Sequence, residues 1–296
     1  MRINTLRLVF YCIVALSLLA FSINGCTGEK IDTSKPPQIP PESSFVMDFG
    51  DFTSSNGASS NAGHMTQLAS FVFAGVTSHL DTTDALEDRS NWGYAAFNVG
   101  FWNIAIFMGL AVPVTSFIES FNHTPVQQSD FSWVWTYNVS VGGDVYIAEL
   151  HGKYIDNGVR WEMYISKQDE YSDFLWYYGE SDLPATKGYW VLKNNPSIPT
   201  DLIRIDWHRN LSNNTGDIKY TNIVPGGPEN GGFISYVTTA AKSYDRSYEI
   251  FNKGKNQTTY IEWNSVTVIG HVRDTLHFGD NNWRCWNSQL INTECQ

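Results

Sequence analysis

Apolar and polar residues are arranged differently in the two parts of the chain. From Phe131 onward apolar residues recur with period two, and turn signals break the pattern about every ten residues, which predicts antiparallel strands. The stretch 131–140 (FSWVWTYNVS) puts Phe131, Trp133, Trp135, Tyr137 and Val139 on one face. Gly142-Gly143 then turns the chain into a strand at 145–155, and Asp156-Asn157-Gly158 turns it into another at 159–166. Asn-Gly is a strong hairpin signal because both positions tolerate positive φ. Further strands are predicted at 173–179, 188–193, 202–208, 217–223, 232–238, 246–251, 258–264 and 266–272, with breaks at Pro184, Pro196, Pro199, 213–216, 225–232 and 252–256. Ten or more strands joined by short turns, without βαβ alternation, form a meander.

The earlier part reads differently. A strand is predicted at 44–52, a Gly/Ser/Asn loop at 53–63, and Leu68, Phe71, Val72, Phe73 and Val76 recur at largely helical spacing within 65–80. The stretch 90–118 contains no charged residue and runs through Trp92, Tyr94, Phe97, Phe101 and Trp102. A helix apolar on all sides is expected to be buried within its own protein, and Asn98 and Asn103 would then need internal partners. The fold expected is mainly β: a large antiparallel meander sheet, an open or half barrel, with the helical segment at about 65–120 packed on its concave face.

At the start of the chain, Arg2 and Arg7 precede an uncharged apolar run at 8–23, the n-region and h-region of an export signal. The run is shorter than the about 20 residues that a mature spanning helix needs. It ends at Ile23-Asn24-Gly25-Cys26, which resembles the lipobox of bacterial lipoproteins processed by signal peptidase II. That resemblance implies removal of 1–25, acylation of Cys26 and attachment to a membrane through the lipid. Two or three acyl chains hold far more firmly than one. Thr27 stands where an inner-membrane retention signal would place Asp, which implies the outer membrane, with the body facing the periplasm. Residues 26–43, with Lys35-Pro36-Pro37 and Pro40-Pro41, are expected to form an extended tether, and 44–296 a single β-rich domain. Of four cysteines, Cys12 leaves with the signal and Cys26 takes lipid, so Cys285 and Cys295 are expected to pair in an oxidising compartment.

The net charge of −11 becomes more negative once Arg2 and Arg7 are removed, which argues against nucleic acid as a partner. Charged residues make up 17% of the chain and aromatics 15%, a balance that favours a packed, ring-rich body over disorder. There is no Gly-x-Ser-x-Gly, phosphate-binding glycine loop or His-Glu-x-x-His. His271, His277, Asp274 and Asp280 are the nearest approach to a metal cluster, and Asp169, Glu170, Asp173, Glu180 and Asp182 the nearest to a calcium loop. Glu149, Glu162, Asp206 and Glu262 are the carboxylates available for glycoside cleavage. No enzyme and no cofactor is expected.

The aromatic rows are the remaining signal. Trp133, Trp135, Tyr137, Trp161, Trp176 with Tyr178, Trp190, Trp207 and Trp263 fill a core against the helix, line an apolar pocket, or face outward as platforms for sugars. The pattern resembles the half-barrel architecture of bacterial lipoprotein-localisation carriers, which hold acyl chains between an open barrel and a helical lid. The expected role is therefore non-catalytic binding of an apolar or amphipathic ligand such as a lipid, with Trp133, Trp135, Tyr137, Trp161, Trp176, Trp190 and Trp207 facing it. A filled-core envelope protein and a glycan binder are the alternatives.

Overall fold

The computed structural model of the protein describes residues 31–47 and 88–295, apart from the side chains of 103–109. The expected export signal, Cys26, the loop at 53–63 and the helix at 65–80 lie outside the described residues, as does the side chain of Asn103. The chain divides into two compact units, Met1–Lys35 and Pro36–Gln296. In the first, Asp32 accepts from the backbone and hydroxyl of Ser34. The second holds the sheet.

Fourteen antiparallel strands lie in sequential order, as the meander pattern predicts. They are β1 Val126–Gln127, β2 Trp133–Val141, β3 Asp144–Ile155, β4 Gly158–Lys167, β5 Tyr171–Ser181, β6 Lys187–Asn195 and β7 Ile198–Asn210. Then come β8 Thr215–Asn222, β9 Phe233–Thr238, β10 Arg246–Asn252, β11 Gln257–Trp263, β12 Gly270–Asp274, β13 Arg284–Trp286 and β14 Asn292–Thr293. Among the described residues two α-helices accompany the sheet, α1 Ser90–Glu119 and the single turn α2 Thr275–Phe278. The outermost strands, β1 and β14, are each only two residues long, a common way of keeping sheet edges from pairing with other chains.

Helix α1 crosses the inner face of the sheet from one end to the other. At its start, Asn91 Nδ2 donates to the Cys285 carbonyl, the Asn91 backbone donates to Asn292, and Tyr94 donates to Asp274 at 2.7 Å. Near its end, the Ser116 carbonyl accepts from the Tyr137 hydroxyl on β2. The helix kinks at Leu110, where φ is −125°, one turn before Pro113, whose ring excludes the carbonyl of the preceding turn. The expectation that the helix is buried on all sides fails at Phe97 and Phe101, which are 49% and 57% exposed on one outward stripe. Asn98 satisfies its amide within the helix, on the Tyr94 carbonyl.

The sheet is held together on its inner face by tryptophans set opposite glycines. Trp133 and Trp161 both pair with Gly152, Trp161 and Trp190 with Gly179, Trp207 with Gly188, and Trp263 and Trp286 with Gly270. A Cβ on Gly152 would lie 2.7 Å from Trp161, and one on Gly179 2.7 Å from Trp190, so the missing side chains make room for the indoles. A large ring lying over a neighbouring glycine covers backbone that would otherwise be bare.

Several local expectations are corrected. Of the first strand expected at 44–52, the described residues 44–47 are not strand, following a 3-10 turn at Glu42–Ser44, and 48–52 lie outside the described residues. The proline-rich tether is not a free spacer over its whole length, because Pro37 and Pro40 are buried within the sheet's unit. Phe131 is 66% exposed at φ +63°, in a turn before β2, so it leaves the row of Trp133, Trp135 and Tyr137. In the turn before β4, Asp156 and Asn157 keep negative φ. Gly158 is needed there for a different reason, since a Cβ would come 2.1 Å from the Ser181 carbonyl oxygen. Of the predicted 266–272 region only 270–272 is strand, the start of β12 Gly270–Asp274, and the preceding residues turn through Val268 at φ +55°.

Candidate functional site

Six of the seven ring residues expected to face a ligand are buried on the inner face: Trp135, Tyr137, Trp161, Trp176, Trp190 and Trp207 are all at most 6% exposed. Trp133 is half-buried and packs against the same core. What they meet is the protein itself. The segment after Pro40 enters the hollow and inserts Ser44, Phe45 and Met47, none more than 1% exposed. The Phe45 ring stacks on Phe117 of α1 at 4.7 Å and lies 4.8 Å from Tyr177 and 5.7 Å from Trp190. The Tyr220 hydroxyl fastens this plug by donating to the Phe45 carbonyl at 2.9 Å and accepting from the Met47 backbone at 2.8 Å. Trp190 Nε1 donates to the Ser44 hydroxyl. Burial raises the Tyr220 and Tyr177 phenols well above their ordinary value, so both stay neutral.

Phe45, Phe117, Tyr177 and Tyr220 were not legible as site residues. Period-two reading pairs Trp176 with Tyr178, but the register of β4 and β5 shifts between Met163 and Tyr164. The bulge makes Trp176 and Tyr177 both buried and turns Tyr178 outward, where it donates to Asp201 near Lys193. The Tyr177 hydroxyl and the Nε1 groups of Trp176 and Trp207 find no hydrogen-bond partner among the described residues.

The outer face carries a ladder of charges and rings. Arg160 bonds Glu162 and Glu180, Lys193 bonds Asp201, and Lys219 lies over Phe233 at 3.6 Å. The four candidate catalytic carboxylates are all on this face; Glu149 and Glu162 are diagonal neighbours on the paired strands β3 and β4, with Glu162 opposite His151, while Asp206 and Glu262 stand apart on β7 and β11. Glu149 lies beside His151, Glu162 beside Arg160, Asp206 beside Arg204 and Glu262 beside His271, on β3, β4, β7 and β11. An open groove of about 520 Å³ lies at one end of the middle strands, lined by residues that include Ile155, Glu180, Tyr189, Arg204, Asp206 and Trp207.

Among the described residues no group of three or more His, Cys, Asp or Glu is placed to hold a metal ion. The residues of the first candidate cluster have other partners. Asp274 caps α2 through the Leu276 and His277 backbones and accepts from Thr259 and Tyr94. Burial pushes its carboxyl up, but these hydrogen bonds outweigh that and hold it below the usual carboxylate range. His277 stacks on Tyr94, Asp280 pairs with Arg284, and His271 stacks on Trp283 at 3.7 Å while bonding Glu262. Burial lowers the His271 imidazole by more than Glu262 raises it. Cys285 and Cys295 form the expected disulfide, which fastens the C-terminal tail that holds the start of α1. Among the described residues no helix is long and apolar enough to cross a membrane.

No family model, curated protein or solved structure matches this chain.

Proposed function

We propose that the protein is a lipid-anchored lipoprotein of the cell envelope whose sheet works without catalysis, as a filled-core recognition or assembly module. The anchor is Cys26, on its resemblance to a lipobox; Thr27, where an inner-membrane retention signal would put Asp, supports the outer membrane, and the body faces the periplasm on this reading. The observation that carries the filled-core reading is the plug of Ser44, Phe45 and Met47, which occupies the hollow where an acyl chain would lie. A bound lipid would have to displace Phe45 from Phe117, Tyr177 and Trp190 and break both bonds to Tyr220. The partner surface on this reading is the outer face.

Two measurements test it. Cys26→Ser should release the mature protein from membranes without detergent, and a variant that stays bound refutes the anchor. Native mass spectrometry of the gently extracted protein should give one mass with no co-purified lipid beyond the covalent chains and no uptake from vesicles. A reproducible bound lipid overturns the filled core and restores the apolar-ligand alternative.

A further inference from the structure

We propose that the outer-face groove at the Ile155–Gly158 turn binds a neutral carbohydrate, with the Arg204–Asp206 pair reading adjacent hydroxyls. The inference goes beyond the filled-core reading, because it uses the opposite face of the sheet and is independent of the anchor. The groove measures about 520 Å³, room for one or two sugar rings, and is open to solvent.

Its chemistry fits the two-sided character of a sugar, which has C–H faces and hydroxyl edges. Ile155 and Tyr189 supply apolar surface beside Glu180, Arg204 and Asp206. Arg204 is fixed before any ligand arrives. Its Nε bonds both Asp206 oxygens at 2.9 and 3.0 Å, its Nη2 bonds one at 2.7 Å, and its guanidinium lies 4.2 Å over the Tyr189 ring. Those bonds leave Nη1 without a hydrogen-bond partner among the described residues. Two neighbouring hydroxyls, each both donor and acceptor, are matched by the Nη1 donors beside the remaining Asp206 lone pairs. A prefixed pair keeps more of its interaction energy as affinity, since little ordering remains to be done.

Charge narrows the class to neutral sugars. Glu180, Asp182, Asp206 and Asp217 outnumber Lys187 and Arg204 around the groove, and the whole chain carries −11. A phosphorylated, sulfated or uronic ligand would meet repulsion.

The test titrates the full-length protein, in a detergent without sugar headgroups, with neutral hexasaccharides of glucose, galactose and mannose and with a hexuronate of the same length. Calorimetry and tryptophan emission are read together. At least one neutral hexasaccharide should saturate, and the hexuronate should not. Arg204→Lys should weaken binding at least about tenfold while near-ultraviolet dichroism is unchanged, because an ammonium cannot keep the forked geometry. Asp206→Asn provides a second variant with the same expectation. The inference is overturned by failure of every neutral sugar to saturate at about 10 mM, where even a very weak site would fill. It is equally overturned by preference for the hexuronate, or by wild-type affinity in a folded Arg204→Lys or Asp206→Asn protein. None of these outcomes alters the reading of the plug or of Cys26.

Discussion

Replacing Gly179 by alanine tests whether the tryptophan–glycine pairing holds the sheet together. An added Cβ would sit 2.1 Å from the Tyr189 carbonyl oxygen, 3.1 Å from its carbonyl carbon and 2.7 Å from Trp190 Cε3. The indole could not yield freely, since Trp190 is 1% exposed and packed against Phe45, Phe117 and Tyr177. The backbone of β6 would therefore have to move by about an ångström while paired to both β5 and β7. Overpacking of this kind costs about 1–3 kcal/mol, and a backbone collision belongs at the top of that range. At about 2–4 °C per kcal/mol for a domain of this size, about 3 kcal/mol lowers Tm by about 6–12 °C. Thermal and urea unfolding followed by tryptophan dichroism measure it. Gly93→Ala is the matched control: nothing lies within 4 Å of a Cβ there, and the position is inside α1, so it should gain about 0.5–1 kcal/mol. A Gly179→Ala protein within about 0.5 kcal/mol of wild type would falsify the argument, because that is the scatter of neutral surface changes.

Other perturbations reach other parts of the molecule. Phe45→Ala removes the centre of the plug and should cost about 3–5 kcal/mol in urea unfolding while leaving far-ultraviolet dichroism intact. Asp274→Ala deprives Tyr94, Thr259 and the start of α2 of one acceptor and should cost about 2 kcal/mol or more at neutral pH, read by the same assay. Because the folded Asp274 carboxyl titrates below its unfolded value of 3.8, its stabilisation is complete above that value and is lost as pH falls through the folded one. His271 is likewise lowered, from 6.5, so unfolding should become easier as pH falls below 6.5, and His271→Gln should flatten that part of the Tm–pH profile. An unchanged profile would show that His271 contributes nothing to acid sensitivity. Cys295→Ser should lower stability by about 2–3 kcal/mol, measured against the oxidised parent, with the first loss of protection from hydrogen exchange at the tail and the start of α1.

The sequence by itself determined the number and order of the strands from 131 to about 264, the turn at Gly142-Gly143 and the disulfide. Alternation and turn chemistry are local, and each strand could pair with the one before it. Helix α1 was legible from its uncharged run, but its two exposed phenylalanines were not, because composition does not say which side of a helix is covered. Only the tertiary structure decided what the rings pack against. A period of two separates the faces of a strand without saying what fills the inner one, and one bulge at Trp176 reverses Tyr178. The filling comes from Phe45 and Met47, whose bonds to Tyr220 span 175 and 173 residues, and no local pattern records so distant a contact. The groove was hidden for the same reason: Ile155, Tyr189 and Arg204 come to border it only when the β3–β4 turn, β5, β6 and β7 assemble in order.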